Sequence, residues 1–443
     1  HMKILFILPY VPYPLDSGGN QAVYTMLRSL KEKHEVSLLL TTEGEKAAMN
    51  VDLLKKALGN ITVYHHRRIQ KKVKPEDFSY MKLHTRIACK FFRSVASSME
   101  RKISRRRRKY LMLNNNRIEN DFVRAHSMLF ANNDYLTSDY CKYVANVVNK
   151  GFDIIQVEFF ELLPLVYILP SNVRKIFVHH ELRFIRIENE MNLFKEKKMK
   201  DYIEYQLRKS MELHALSQYD DIITLSEVDK QILKGFLPNL SIHCSPAAIT
   251  VTSTTETIKF KESKNFVFVG SGGHTPNPDG MIWFCHEVLP ILRKLEADPF
   301  KVYIVGNWDS KIRWALTQNN PEIVFPGFIE DLASFLNGKI SIIPIRIGSG
   351  IRIKILEAVS SFSPFVTTSK GCEGLNAIHR QNCLIADTPM EFAQAMSILL
   401  HDANLQDNLS RNAFEMMKKH VRVDDFLDIR NQIYLNNGKS TVG

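Results

Sequence analysis

The sequence has few of the features that define disulfide-rich, metal-binding or membrane-spanning proteins. Its 443 residues contain six cysteines, and no two of them have the two-residue spacing of a zinc or redox motif. Scattered cysteines favour a reducing compartment, in which they pack as small apolar side chains. No stretch approaches the roughly 18 uninterrupted apolar residues of a membrane-spanning helix. We therefore expect a cytoplasmic protein.

A secretion signal is also missing from the first residues. The apolar stretch Lys3–Leu8 runs directly into a loop with Pro9 and Pro12, and no small-residue cleavage site follows. Apolar residues make up 45% of the chain and charged residues 24%, which is ordinary for a soluble globular protein. Because 443 residues exceed what one hydrophobic core usually supports, we expect two domains.

The positive charge is confined to one segment. The chain has a formal net charge of +12, yet residues 66–124 alone hold 18 Lys and Arg against 5 Asp and Glu, a net charge of +13. Within this segment, apolar residues are interleaved with cations over Met81–Met99, and Arg105–Lys109 is an uninterrupted basic run. A basic amphipathic segment favours binding to an anionic membrane surface. A solvated charge run is the alternative, and nucleic-acid binding is disfavoured because no nucleic-acid motif accompanies the charge.

Short apolar runs alternate with helical patterns along both halves of the chain. The predicted strands are Lys3–Leu8, Glu35–Thr41, Ile61–Tyr64, Asp153–Val157, Lys175–His179 and Asp221–Leu225, then Asn265–Val269, Val302–Val305, Ile323–Phe325, Ile340–Pro344 and Phe365–Thr367. Such alternation predicts parallel sheets covered by helices on both faces. The expected fold class is α/β, with two doubly wound Rossmann-like domains that face a cleft.

The two domains are expected at residues 1–250 and 251–422, because the polar stretch Thr250–Thr257 lacks helical periodicity and predicts a linker. Residues 423–443 are expected to form a last helix. Within the first domain, the charge-dense stretch from Arg183 to Gln218 contains no Pro or Gly and predicts one long or broken helix.

The strongest local pattern follows the predicted strand that ends at Pro344. The next small residues, Gly348, Ser349 and Gly350, predict a turn, and a helix is predicted to begin near Gly350. Ligands of doubly wound sheets bind beyond the carboxyl ends of the strands, and helix N-termini bind anions. We therefore predict that this turn binds a phosphate.

Charged residues follow the turn at regular spacing. Arg352 and Lys354 add positive charge beside the predicted phosphate, and Glu357 is placed about two turns into the helix, where a carboxylate can bind a ribose diol. The alternative is a glycine turn with a surface Arg and Lys and a solvated Glu. The order of strand, turn, cations and acid favours the phosphate interpretation.

These residues resemble the motifs of a known family. The pattern Gly-Ser-Gly-Ile-Arg-x-Lys-x-x-Glu, followed by Phe365–Thr368 and Gly371–Leu375, is similar to that of the family 4 retaining glycosyltransferases of the GT-B fold. Phe268–Gly270, Tyr303–Gly306 and Pro326–Phe328 resemble further motifs of that family, in its order. The resemblance weakens in the first half. It implies transfer of a sugar from a nucleotide diphosphate donor with retention of configuration, without a bound metal.

The resemblance also implies that the last helix, residues 423–443, crosses back to the first domain, and it assigns roles in the second half. Glu357 matches the family glutamate that holds the nucleotide ribose, whereas Ser349 stands where the family has another glutamate. Glycines also replace the usual arginine after the first strand of this half. The residues expected to bind the donor, most of them glycines at turns, are Gly18, Gly19, Gly272, Gly273, Phe328, Gly348, Ser349, Gly350, Ile351 and Glu357.

Two places in the first half follow strands in the same way. Gly18 and Gly19 open a helix and match a glycine pair that reaches the donor in the family; a plain strand-to-helix turn is the alternative. His180 matches a family histidine that touches the donor sugar, with a structural histidine as the alternative. Glu181 and, more weakly, Glu158 are candidates for acceptor contact.

The chemistry of sugar transfer explains the need for cations. The departing diphosphate gains negative charge, which Arg352, Lys354 and the turn N–H groups can stabilise electrostatically. His180, Arg352 and Lys354 are therefore the catalytic candidates. In retaining enzymes of this fold, the leaving phosphate itself can take the proton of the acceptor, so that no pair of acidic side chains is required.

The expected function is that of a bacterial hexosyltransferase, peripheral at the inner face of the cell membrane, that acts in polysaccharide biosynthesis. It would use a UDP- or GDP-linked sugar and a glycan, lipid-linked or protein-linked acceptor, and would bind neither metal nor nucleic acid. The oligomeric state stays open. The alternatives are a GT-B sugar-nucleotide epimerase and a non-catalytic glycan- or membrane-binding scaffold, the latter because Ser349 replaces an acid.

Overall fold

Two parallel β-sheets with helices form the protein. The computed structural model describes residues 1–15, 18–59, 61–68, 122–131, 135–194, 196–247, 259–418 and 423–436. Within them, the two sheets and their helices confirm the predicted α/β fold with two doubly wound domains. The predicted linker at 250–257 and residues 69–121 of the basic segment lie outside the described residues.

The first sheet has seven parallel strands in the order β3-β2-β1-β4-β5-β6-β7. They are β1 Lys3–Leu8, β2 Glu35–Glu43, β3 Thr62–Arg68, β4 Ile154–Glu158, β5 Arg174–His179, β6 Asp221–Thr224 and β7 Ser241–Cys244. Successive side chains of β1 enter two different apolar clusters, with Leu5 and Ile7 on one face and Ile4 and Phe6 on the other. The strand is apolar at nearly every position because both faces of the sheet are covered.

The second sheet has six parallel strands in the order β10-β9-β8-β11-β12-β13. They are β8 Phe266–Val269, β9 Val302–Val305, β10 Ile323–Gly327, β11 Ile340–Ile343, β12 Phe365–Thr367 and β13 Leu384–Ile385. The sequence predicts every strand except β7 and β13. These two lie at sheet edges and have four and two residues, too few to show a periodic pattern.

Helices connect the strands. They are Gly18–Leu30, Glu45–Leu58, Ser138–Val148, Arg183–Asn192, Met199–Leu216, Glu227–Phe236, Pro276–Trp283, Leu289–Leu295, Ser310–Thr317, Leu332–Leu336, Ile353–Ser360, Pro389–His401, Ala403–Met417 and Val423–Leu435. A π-helical turn, Phe284–Val288, joins two of them, and Met128–Phe130 and Phe160–Ile168 are 3-10 helices. The stretch from Arg183 to Gln218 thus forms a broken helix, in two parts. Among the described helices, none is both long and apolar enough to cross a bilayer.

The last helix packs on the first sheet, although it follows the second sheet in sequence. Phe426, Ile433 and Tyr434 are buried in the apolar cluster that covers one face of the first sheet. The Tyr434 hydroxyl donates a hydrogen bond to Gln156 Oε1 on β4 at 2.7 Å, and Arg174 Nη1 donates to the Tyr434 carbonyl at 3.0 Å. The core of the first domain therefore includes the end of the chain.

The two domains meet at the carboxyl ends of their sheets. The strand order reverses between β1 and β4 in the first sheet and between β8 and β11 in the second, which is where doubly wound sheets bind ligands. The loop after β11 reaches the first domain here. The backbone N–H of Leu182 donates to Ser349 Oγ at 2.7 Å, and the N–H of Gly348 donates to Asn189 Oδ1 at 3.2 Å.

Candidate active site

The turn after β11 requires its glycines. Gly348 and Gly350 have φ angles of 114° and 77°, in the left-handed region that favours glycine. A Cβ atom at Gly350 would lie 2.6 Å from the His180 carbonyl oxygen, and one at Gly348 would lie 2.8 Å from Glu181 Oε1. The glycines therefore allow close contact between the two domains. Their role in phosphate binding stays a prediction.

Ser349 and Ile351 of the same turn are engaged within the protein. Ser349 is buried, and its hydroxyl accepts the hydrogen bond from Leu182 N–H. The side chain of Ile351 packs in a small apolar cluster with Leu356 of the following helix. Ser349 thus holds the turn against the first domain, a role that a longer Glu side chain could not fill at this distance.

Arg352 precedes the helix Ile353–Ser360, which begins three residues later than predicted. Its Nη1 donates hydrogen bonds to the carbonyl oxygens of Ser349 and Gly350, the latter at 2.9 Å. Its Nε is buried without a partner in the described part of the chain. Burial lowers the pKa of the Arg352 guanidinium, and the nearby carboxylate of Glu181 opposes this shift. Arg352 therefore stabilises the turn and keeps one N–H group available.

Lys354 and Glu357 lie one helical turn apart and face the same side. Lys354 Nζ donates to Asn277 Oδ1 and lies 4.4 Å from the centre of the Phe268 ring. Burial, with the positive charge of Arg352, lowers the pKa of Lys354 to about 7. Burial raises the pKa of Glu357 to about 7, although Lys354 opposes the shift. Within the described residues, no hydrogen bond or ion pair engages the Glu357 carboxylate.

The loop after β8 packs against the end of β9. A Cβ atom at Gly272 would lie 2.9 Å from the Trp308 ring, and the Gly272 N–H donates to the Asn307 carbonyl at 2.9 Å. Trp308 therefore leaves no room for a side chain at Gly272, whose role in donor binding stays a prediction. At Gly273, by contrast, no atom lies within 4 Å of an added Cβ, so that its surface is open.

A chain of hydrogen bonds orients His180. Its Nε2 donates to Glu158 Oε2 at 2.8 Å, and its ring stacks on Phe159 with centroids 3.9 Å apart. Gln156 Nε2 donates to the other Glu158 oxygen at 2.6 Å, and Gln156 in turn accepts from the Tyr434 hydroxyl. Burial alone would raise the pKa of Glu158, but the hydrogen bond and charge of His180, the charge of Arg430 and the hydrogen bond from Gln156 together lower it below the ordinary value.

This arrangement makes Glu158 a candidate for positioning His180. Its side chain is buried, and both of its oxygens accept hydrogen bonds from within the protein. Its contact with an acceptor stays a prediction. Within the described residues, no hydrogen bond engages Nδ1 of His180, which is the nitrogen left for a ligand.

Glu181 and Asp229 bring two more carboxylates to the domain contact. Glu181 Oε2 accepts a hydrogen bond from Arg186 Nη1 at 3.0 Å. Burial alone would raise the pKa of Glu181, but Arg186 and neighbouring cations lower it to about 2. Asp229, which the sequence did not single out, lies 3.8 Å from a Cβ atom built at Gly350. Burial raises the pKa of Asp229 to about 6, and both of its oxygens lack a partner among the described residues.

The remaining predicted residues lie around this cluster. Gly18 begins the helix Gly18–Leu30, which contacts the helix Ile353–Ser360, and an added Cβ at Gly19 would meet nothing within 4 Å. Phe328 follows β10 with its side chain largely exposed. In the described part of the chain, no group of three or more His, Cys, Asp or Glu side chains is arranged to hold a metal ion.

A cavity of about 300 Å³ lies in the first domain, beyond the carboxyl ends of β1 and β2. Tyr10, Thr41, Asn50 and Tyr135 are among its lining residues. Tyr10 packs edge-on against Phe159, the ring that stacks on His180, with centroids 5.2 Å apart. The cavity is therefore separated from His180 by two aromatic rings.

Part of the chain is similar in sequence to known proteins. Residues 263–402 match the family described as Glycosyl transferases group 1. An uncharacterized 44.6 kDa protein in the cps region of Klebsiella pneumoniae is 27% identical over 164 residues, which are 35% of this chain and 42% of that relative. The match thus spans less than half of the length of the curated relative.

Solved structures resemble the whole chain. A TarM variant from S. aureus in complex with fondaparinux, alpha-GlcNAc-glycerol and UDP has a TM-score of 0.63 at 10% identity, and 98% of this chain and 100% of that chain are covered. Sucrose-phosphate synthase from Thermosynechococcus elongatus has a TM-score of 0.63 at 13% identity, with 98% of each chain covered. An E. coli protein bound with UDP-2-fluoro glucose, titled trehalose-6-phosphate, has a TM-score of 0.60 at 11% identity, with 97% and 98% covered. The family match thus covers residues 263–402, and the solved structures have the same two-sheet GT-B fold as this chain.

Proposed function

We propose that the protein transfers a sugar from a UDP- or GDP-linked donor to a glycan, lipid-linked or protein-linked acceptor, with retention of anomeric configuration. The observation that carries the proposal is the Glu357 carboxylate, which is half-buried, unpartnered among the described residues and one helical turn from Lys354. The carboxylate thus has free acceptor capacity, and the two hydroxyls of a ribose would supply donors. The group 1 match includes this helix, and two of the similar solved structures are complexes with UDP or with UDP-2-fluoro glucose.

The cations beside Glu357 suit the leaving diphosphate. Lys354, with a pKa of about 7, gains a proton most readily when an anion binds next to it, and the free Nε–H of Arg352 adds a second donor. In the proposed reaction, the bond between the anomeric carbon and the diphosphate oxygen breaks. A bond to the acceptor oxygen forms on the same face of the sugar, and the acceptor proton passes to the leaving phosphate oxygen.

His180 would orient the donor sugar. Because Glu158 and Phe159 fix the imidazole ring, Nδ1 is held in one direction without a conformational cost at binding. The cavity near Tyr10, which Tyr10 and Phe159 separate from His180, has an aromatic and hydroxyl lining that suits a more distant sugar unit of the acceptor. No metal is needed in this scheme, because Arg352 and Lys354 neutralise the leaving group.

We further propose that the protein is bacterial and cytoplasmic, and works at the inner face of the cell membrane in polysaccharide biosynthesis. The net charge of +13 over residues 66–124 supports membrane attachment. The Klebsiella pneumoniae relative is described as a protein of a cps region, which supports a role in a surface polysaccharide.

A nucleotide-binding screen tests the donor site. Calorimetry of the purified chain against UDP, GDP, ADP, CMP and their common sugar conjugates should show binding of one nucleotide family. Glu357→Ala should abolish it, and the matched control Glu415→Ala, at an exposed glutamate of the same domain, should not. Absence of binding in the parent chain would refute the donor site.

Turnover separates the alternatives from the proposed reaction. Conversion of the bound donor without any acceptor would identify an epimerase. Tight donor binding with no turnover across a panel of glycan and lipid-linked acceptors would identify a scaffold protein, in which Ser349 serves only the domain contact. Release of the nucleotide only when an acceptor is present is the result expected of a transferase.

A further inference from the structure

One helix of the first domain carries a line of exposed apolar side chains. On Met199–Leu216, the side chains of Met199, Ile203, Leu207 and Met211 are 78%, 54%, 62% and 47% exposed. Residues four apart lie on one side of a helix, so these four form a continuous stripe, named here the apolar stripe. Isolated exposed apolar residues are normal, whereas a contiguous apolar surface indicates an interaction site.

The apolar stripe lies on the second helix of a hairpin whose first helix contacts the motif turn. The helices Arg183–Asn192 and Met199–Leu216 contact each other as a hairpin that follows the carboxyl end of β5. Glu212 near the end of the second helix accepts from the backbone N–H of Phe184 at 2.8 Å, which fixes the base of the hairpin. The first helix carries Asn189, which accepts from Gly348 N–H of the motif turn. One helix of the hairpin thus contacts the site, and the other carries the stripe.

The charges around the apolar stripe are positive. Lys197, Lys198 and Lys200 are exposed at the start of the helix. The acidic residues of the helix are neutralised, since Asp201 is buried in an ion pair with Arg124 at 2.8 Å and Glu204 pairs with Arg208 at 3.0 Å. Apolar side chains flanked by lysines match a bilayer surface with anionic lipids.

The sequence on the other side of that ion pair points to the same partner. Arg124 is the last residue of the basic segment 66–124, whose net charge is +13. The described chain resumes at Phe122, so the segment returns to the fold at the first turn of the helix that carries the apolar stripe. Arg124, the last residue of the basic segment, is thus held at the first turn of the helix that carries the apolar stripe.

We propose that the apolar stripe is a docking surface for an anionic lipid bilayer. Its four side chains enter the boundary between headgroups and acyl chains, and the three lysines contact lipid phosphates. Docking by this hairpin would bring the opening of the cleft to the bilayer, where a lipid-linked acceptor resides. The choice of acceptor rests on the proposed function, but the docking itself does not.

Co-sedimentation with vesicles tests the proposal without a readout of activity. The full chain should bind vesicles of equal parts phosphatidylethanolamine and phosphatidylglycerol and bind vesicles of phosphatidylcholine much more weakly. The double variant Ile203→Asp/Leu207→Asp should lower the partition coefficient by about tenfold or more, since each change removes an inserting group. The matched control Leu295→Asp/Ile398→Asp changes one exposed Leu and one exposed Ile on helices of the second domain and should bind as the parent does.

Salt separates the apolar stripe from the basic segment. Binding through charge alone is lost at high ionic strength, whereas the part due to insertion persists. We therefore expect the parent chain to keep residual binding at about 0.5 M salt, and the Ile203→Asp/Leu207→Asp variant to lose it. Equal binding of parent and variant in both conditions would overturn the proposal.

A second copy of the chain is the competing occupant of the apolar stripe. Analytical ultracentrifugation that shows a dimer in the parent chain and a monomer in the Ile203→Asp/Leu207→Asp variant would also overturn the proposal. Unchanged donor binding by this variant, measured by calorimetry, would show that it is folded. Failure of vesicle binding with intact donor binding is thereby distinguished from failure of the proposed function.

Discussion

Donor binding should depend on pH along two limbs, set by Glu357 and Lys354. Burial raises the pKa of Glu357 from 4.5 to about 7. Hydrogen bonds from a ribose diol favour the carboxylate, so binding lowers this pKa again and releases a proton. Affinity should therefore increase as pH rises towards 7 and then level off. Burial lowers the pKa of Lys354 from 10.5 to about 7, and a bound diphosphate raises it again, so affinity should fall as pH rises above 7.

The size of the acid limb follows from the shift. A full return of Glu357 to its ordinary pKa of 4.5 would change the affinity by roughly two to three powers of ten, or about 3 kcal/mol at about 1.36 kcal/mol per pKa unit. The side chain is only half-buried, and solvent screening reduces the effect. We expect the dissociation constant to rise about ten- to hundredfold between about pH 7 and about pH 5.

Isosteric variants assign the limbs. Glu357→Gln should weaken nucleotide binding at neutral pH by about 1.5–3 kcal/mol and flatten the acid limb, while the alkaline limb stays. Lys354→Met should flatten the alkaline limb, and the control Glu415→Gln should leave both limbs unchanged. Calorimetry in two buffers of different ionisation enthalpy counts the protons released. An acid limb that persists in Glu357→Gln, or an absence of proton release below pH 7 in the parent chain, would refute the reasoning.

Three further predictions concern other contacts of the site. Glu158→Gln removes the charge beside His180 and should lower kcat about tenfold with little change in the donor KM, as measured by steady-state kinetics. Tyr434→Phe, at the far end of the same hydrogen-bond chain, should lower kcat less. An unchanged kcat in Glu158→Gln would contradict the positioning role. Gly350→Ala places a Cβ atom 2.6 Å from the His180 carbonyl oxygen at a φ of 77°, and should lower the free energy of unfolding in urea by about 1–3 kcal/mol. The control Gly235→Ala, whose Cβ would meet no atom within 4 Å, should not lower it. Asp229 has a pKa of about 6 in the folded protein against 3.8 when unfolded, so its ionisation lowers the stability as pH rises from about 4 to about 6. Asp229→Asn should therefore be more stable than the parent by about 1–3 kcal/mol above pH 6 and equal to it below about pH 4. Equal urea midpoints of the two proteins at all pH values would exclude this destabilisation.

The features that depend on local patterns could be predicted from the sequence. The buried strands show continuous apolar runs because both of their faces are covered, as in β1 and β11. The spacing of Lys354 and Glu357 places them on one face of a helix in any context. The turn at Gly348 and Gly350 could be predicted as well, because its left-handed backbone conformation excludes most other residues.

What those glycines and carboxylates contact could not be predicted, because the partners come from distant parts of the chain. Asp229 follows Ser226 at the spacing of a helix cap, and its oxygens are buried only once the turn at Gly350 approaches from the other domain. Glu158 occupies a strand end, which suggested contact with a substrate. Its partner Gln156 is itself bonded to Tyr434, and these two residues lie 278 positions apart in sequence.

The return of the last helix to the first sheet has a consequence for inheritance. Because Tyr434 and Phe426 complete a core that begins with β1, the first domain is encoded in two separate pieces, and the second domain is an insertion between them. Residues 263–402, the group 1 segment, are contiguous and can be exchanged between genes as one block. A gene fragment that stops after residue 250 would encode a first domain without its closing helix, and Gln156 would lose the hydroxyl that orients it. Recombination in this architecture therefore favours replacement of the middle of the gene over exchange of its ends.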